Sequence, residues 1–145
     1  MPLDRLDHYT IRTPHLKPTR HFYVEVLGLA DGHRPPFDFP GHWLYCNDRA
    51  VVHLVGVDLT DKGGLVRFLG DRAPANLSGG GAVDHIAFRA SGLRTMRDHL
   101  NAQKIAYRER TIPTLDLHLL FIEDPNGVTI ELNYAAREAL ATDGA

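Results

Sequence analysis

Four residues of metal-binding type recur in register along the chain. His8 stands in Leu6-Asp7-His8-Tyr9-Thr10-Ile11-Arg12, and His85 in Val83-Asp84-His85-Ile86-Ala87-Phe88-Arg89. Both segments read apolar-Asp-His-x-x-apolar-Arg, 77 residues apart. His53, in Val51-Val52-His53-Leu54, matches Glu131, in Thr129-Ile130-Glu131-Leu132, at an offset of 78. Imidazole and carboxylate form a mixed N/O set suited to divalent Fe, Mn, Co, Ni or Zn. On an otherwise apolar strand face such groups need a partner, and a metal supplies one. If two copies of the repeated unit pair about a pseudo-twofold axis, all four side chains could converge. His15, His21, His33 and His99 have no repeat partner of ligand type and read as ordinary structural or surface histidines.

The elements that must position these residues also repeat. Each Asp-His segment is rich in β-branched and aromatic residues and reads as a strand. A helix candidate follows each: Pro18 to Leu27, ended by Gly28, and Leu93 to Gln103, with Ser91 available as a cap. Further strands are expected at Trp43 to Cys46 and Ala50 to Val55, with a weaker one at Leu29 to His33. In the second half they fall at Ala106 to Thr111, Leu117 to Ile122 and Val128 to Leu132. Asp124-Pro125-Asn126-Gly127 is a hairpin signal, since proline presets φ and Asn-Gly tolerates positive φ. Each half therefore reads β-α-β-β-β. The chain is expected to be one domain, residues 1–145, of two modules, about 4–56 and 83–134, joined by a linker over 57–82. A short helix at Leu65 to Leu69 fits within that linker, and a helical turn fits after Tyr134.

Composition narrows the function. With 145 residues, 43% of them hydrophobic and 23% charged, there is enough apolar material for a core. No apolar run approaches the roughly 18–20 residues of a membrane span, and no signal peptide is visible. A formal charge of −2 gives no general reason to expect nucleic acid or an acidic membrane as partner. The single cysteine, Cys46, allows no internal disulfide, which fits the cytoplasm. There is no G-x-S-x-G and no G-x-x-x-x-G-K-[ST], so a serine hydrolase elbow and a phosphate loop are not expected.

The ordered set of Leu6-Asp7-His8, His21 to Leu29, Val83 to Phe88 and Glu123 to Leu132 resembles the vicinal oxygen chelate superfamily over residues 4–134. That family includes glyoxalase I, epimerases, extradiol dioxygenases and drug-binding proteins. The resemblance implies an α+β fold, two paired βαβββ modules forming a cupped mixed sheet around a divalent metal. It places ligands at His8, His53, His85 and Glu131, while three-ligand members use His8, His85 and Glu131. Histidine at position 53 departs from the Glu or Gln that isomerases and epimerases often carry. A homodimer is expected by the same resemblance, with the modules pairing within one chain or across two.

Three functions follow. The first is a metal-dependent lyase/isomerase or epimerase, in which the metal stabilises an enediolate and Glu131 or His53 shuttles a proton between adjacent carbons. The second is an Fe(II) ring-cleaving dioxygenase, with His118 as a candidate acid/base near the metal. The third is a non-enzymatic binding protein for a small molecule. Alternation places Arg12 on the face of His8, and Arg89 on that of His85, where an arginine could hold a substrate carboxylate or phosphate. Phe37, Trp43 and Tyr45 are candidates for an aromatic pocket wall, with Phe39 read rather as core.

Overall fold

The computed structural model describes residues 5–58, 60 and 77–143, with the side chains of 141–143 left aside. The helix expected at Leu65 to Leu69 lies outside the described residues. The chain divides into two compact units, Met1–Leu77 and Ser78–Ala145.

The first unit begins with β1 (Tyr9–Thr13) and helix α1 (Leu16–His21). The helix continues as a wider turn over Phe22–Val26, marked by a bond from Leu27 N–H to the Phe22 carbonyl, and stops at Gly28 with φ 80. Strands β2 (Ala30–Gly32), β3 (Gly41–Cys46) and β4 (Arg49–Gly56) complete a four-stranded sheet in the order β1-β4-β3-β2. The β1–β4 pair is parallel and the others are antiparallel.

The second unit repeats this plan. It contains β5 (Ile86–Arg89), α2 (Leu93–Ala102), β6 (Arg108–Ile112), β7 (Leu117–Glu123) and β8 (Thr129–Ala135), in sheet order β5-β8-β7-β6. Again the first and last strands pair in parallel. The fold is thus α+β, with two βαβββ modules of identical topology. A closing helix, α3 (Ala136–Asp143), is longer than the single turn expected there.

Side-chain alternation sorts each sheet into two faces. In the first unit Ile11, Leu44, Val52 and Leu54 are buried, as are Phe22, Tyr23 and Val26 of the helical segment. Thr10, Trp43 and His53 stand on the opposite face, because Thr10 and Trp43 are the register partners of His53. In the second unit Leu120, Ile122, Ile130, Leu132 and Tyr134 are buried, as are Leu93 and Leu100 of α2. Glu131 stands on the other face, with its register partners Ala87 and Phe121.

Two local details differ from expectation. Ser91 does not cap α2: Gly92 holds the cap position in the left-handed region, with no side-chain bond of its own. Glu138 of α3 supplies the acceptor instead, taking N–H bonds from Gly92 (2.9 Å) and Leu93 (3.0 Å). The Asp124–Gly127 turn forms as expected, with Asp124 Oδ1 accepting from the N–H groups of Asn126 and Val128.

Candidate functional site

His8 and His85 each stand one residue before their strands, immediately after an aspartate. In both units that aspartate accepts the Nδ1–H of the histidine: Asp7 at 2.7 Å from His8 and Asp84 at 2.8 Å from His85. This carboxylate–imidazole pairing fixes the tautomer and leaves Nε2 as the bare nitrogen, as metal-ligating histidines require. Asp7 is held below the usual carboxylate range, chiefly by its bond to His8. The His85 pKa is raised, first by its bond to Asp84 and further by the charge of Glu131. The aspartates recur at the same 77-residue offset as the histidines, so the repeat itself carries their signal.

The second unit brings His85 and Glu131 together, with Nε2 to Oε2 at 3.7 Å. Phe121 meets the His85 ring edge-on at 6.3 Å, and the Arg108 guanidinium lies over Phe121 at 5.2 Å. Two donors each about 2.1 Å from one ion stand about 3.0–3.4 Å apart at octahedral or tetrahedral angles. The 3.7 Å pair fits a shared cation after a small rotation of either side chain. Glu131 is nearly buried, at 8% exposure, so its carboxylate needs a counter-charge there.

The first unit pairs its residues differently. The His8 and His53 rings stack at 3.7 Å with their planes 13° apart, and Trp43 stacks on His53 at 4.1 Å and 9°. A ring nitrogen's lone pair lies in the ring plane. Two nearly parallel planes at this spacing have no common point within about 2.1 Å of both nitrogens. His8 and His53 therefore fit as stacked partners and not, in this arrangement, as two ligands of one ion. His53 Nε2 donates to the Ala50 carbonyl at 3.2 Å, which leaves the lone pair on Nδ1. Burial, seconded by the nearby His8, lowers the His53 pKa, so the ring is neutral at pH 7. Among the described residues, His, Cys, Asp and Glu side chains form no group of three or more placed to hold one ion.

A cavity of about 640 Å³ opens in the first unit beside this stack. Phe37, Phe39, Trp43 and Tyr45 line it together with His8 and His53. Tyr45 is tied by its hydroxyl to the His33 carbonyl at 2.7 Å. Arg34 also lines the cavity, a residue the sequence did not mark, whereas Arg12 is half-buried and is not among the lining residues. Arg89 is exposed and shares the face of Glu131, in register with Asn133.

His118 does not share the face of Glu131. On β7 it is Phe121, three residues further on, that pairs with Glu131, so His118 points to the opposite face. There it is buried and donates Nε2–H to Glu109 at 3.1 Å, while the Thr111 hydroxyl donates to Nδ1 at 2.8 Å. Arg97 of α2 closes the network on Glu109 at 2.7 Å. Both nitrogens of His118, expected from the sequence as a candidate acid/base, are engaged within this network, on the face away from Glu131.

Residues 5–132 match the family model of the Glyoxalase/Bleomycin resistance protein/Dioxygenase superfamily. The chain belongs to that superfamily, the vicinal oxygen chelate proteins. Its fold is shared by a glyoxalase family protein from Bacillus anthracis, 21% identical, with TM-score 0.64 and coverage of 93% of this chain and 98% of that one. Lactoylglutathione lyase from Agrobacterium tumefaciens is 17% identical, with TM-score 0.62 and coverage of 92% and 96%. TnmS3, an antibiotic binding protein from Streptomyces sp. CB03234, is also 17% identical, with TM-score 0.63 and coverage of 93% and 98%. At these identities the likeness concerns the fold alone. No curated protein matches the sequence. Among the described residues no helix is long and apolar enough to cross a membrane.

Proposed function

We propose that this chain is a metal-dependent enzyme of the glyoxalase I-like kind, a lyase/isomerase or epimerase that moves a proton between neighbouring carbons of a small substrate with two vicinal oxygens. The observation that carries this reading is His53: a neutral imidazole, its tautomer set by the Ala50 carbonyl, with Nδ1 unprotonated in the wall of the cavity. Such a group is suited to accept a proton at pH 7 and return it.

In this reading His85 and Glu131 are ligands of a divalent ion, one of Fe, Mn, Co, Ni or Zn. His8 is supplied by a first module, of the same chain or of a second copy in a homodimer. When bound, the ion supplies Lewis acidity to two adjacent substrate oxygens. Asp7 and Asp84 fix the Nδ1–H tautomer of the two histidines, which aims the Nε2 lone pair at the ion. His53 stands outside the ligand set and carries the proton, while Phe37, Trp43 and Tyr45 shield it from water.

The test is His53→Phe, which keeps a ring for the stack and removes the nitrogen. With the hemithioacetal of a 2-oxoaldehyde as probe, turnover should fall by about 10²–10⁴-fold while bound metal stays constant. Loss of metal together with turnover would return His53 to the ligand set. Unchanged turnover would sink its role as base.

One observation favours the second reading. With His53 in the stack, the remaining set of His8, His85 and Glu131 is the two-histidine, one-carboxylate pattern of Fe(II) oxygenases. Iron in the protein and oxygen uptake with catechol would establish that reading over the first. A drug-binding role without chemistry would show as ligand binding with no metal at all.

A further inference from the structure

Arg34 is the half-buried cation among the charged groups lining the first unit's cavity; Arg5, Asp7, Asp48 and Arg49 occupy exposed positions. Its guanidinium lies over Phe37 at 5.0 Å and over Phe39 at 5.1 Å, and one Nη2–H is given to the Phe39 carbonyl at 2.8 Å. Among the described residues no carboxylate pairs with it. A guanidinium has five N–H donors in a planar fork, so most of its donors are unspent.

Local sequence holds the group in place. Pro35 and Pro36 stiffen the loop behind it. Gly41 leaves room beside it: a Cβ there would meet Arg34 Nη2 at 3.0 Å and would strike the Leu54 carbonyl oxygen. Burial lowers the Arg34 pKa, which registers the cost of keeping the cation partly out of water. Arg34 and His53 both line this cavity, so the anion site and the proton-accepting imidazole belong to one pocket.

We propose that Arg34 anchors a carboxylate in this cavity, and that the ligand is a small carboxylate with a flat apolar body lying among Phe37, Trp43 and Tyr45. The fork matches a carboxylate bidentately, which a lysine in the same place would not. Partial burial under two aromatic rings makes each such bond stronger than at an open surface. The inference rests on this cavity being the substrate site of the proposed enzyme. It narrows the substrate to one carrying an anionic group besides its vicinal oxygens.

Trp43 is the chain's single tryptophan and lines the cavity, so its fluorescence reports occupancy there. The protein as purified is titrated with benzoate and with benzyl alcohol, matched in ring and differing in charge. Benzoate should bind about 10–100-fold more tightly. Arg34→Gln should remove that preference and leave benzyl alcohol binding unchanged, and Arg34→Lys should recover only part of it. Phenyl phosphate in a third arm separates a carboxylate from a phosphate preference, and tighter binding of the phosphate overturns the carboxylate assignment. Equal affinity for the two benzyl probes, or no binding of either, overturns the proposal. So does an equal loss of both in the variants, which would make Arg34 a loop brace. Because binding is read without turnover, Arg34-dependent benzoate binding in a protein that transfers no proton would leave this inference standing and refute only the enzyme reading.

Discussion

Replacing His118 tests the assignment of sheet faces, and with it the separation of structural from chemical histidines. His118→Phe keeps most of the volume but leaves the Thr111 hydroxyl and one bond of Glu109 without their imidazole partner. Glu109 retains Arg97. Thr111 and Glu109 are exposed, so water can take the place of the imidazole, and the loss of the two bonds costs about 1 kcal/mol. His118→Ala adds a cavity beneath β7, because the side chain itself is only 7% exposed, and brings the total to about 3 kcal/mol. At about 3–4 °C per kcal/mol for a chain of this size, the alanine variant melts about 10 °C lower. Thermal denaturation by circular dichroism reads this, beside metal content and turnover of the folded protein at low temperature. Both should match wild type. His85→Ala should behave in the opposite sense, losing metal with little change in melting, because its side chain is 38% exposed. A His118→Ala protein that melts like wild type but is inactive would refute the face assignment.

Other outcomes follow from single contacts. Glu138→Ala removes the acceptor for two N–H groups at the start of α2 and should cost about 1 kcal/mol, with faster amide exchange at Gly92 and Leu93. Glu138→Gln, which keeps an acceptor but not the charge, should fall between. Burial alone would raise the Glu109 pKa, but the hydrogen bonds from Arg97 and His118 outweigh it and hold the group below its ordinary 4.5. A depressed folded pKa contributes stability that is present above the unfolded value and lost as pH falls through the folded one. Urea midpoints measured from pH 6 to pH 3 should therefore fall more steeply in wild type than in Glu109→Gln. Equal slopes would show that the network contributes nothing to acid stability.

Much of the fold was legible because the chain states it twice. The Asp-His segments, the helix after each and the Asp124–Gly127 turn fixed two modules in one register, and the parallel pairing of first with last strand then put His53 beside Thr10 and Glu131 beside Ala87. The face of His118 was not legible, since Leu117-His118-Leu119-Leu120-Phe121-Ile122 is apolar on both sides and alternation gives no signal. The cap from Glu138 joins residues 45 and 46 apart, beyond any local capping pattern. Arg34 sits in a proline-rich loop with no periodicity to mark it. The type of residue at 53 suggested a ligand, but whether its ring ligates or stacks on His8 and Trp43 is set by a side-chain rotation, and no spacing encodes that.

In the proposed enzyme His85 and Glu131 hold a metal and His53 does not. Elemental mass spectrometry on protein purified without chelators tests it directly. Wild type and His53→Phe should carry near-stoichiometric divalent metal, and His85→Ala and Glu131→Ala should lose it. Metal retained without His85 and Glu131, or none bound by wild type after reconstitution, would contradict it.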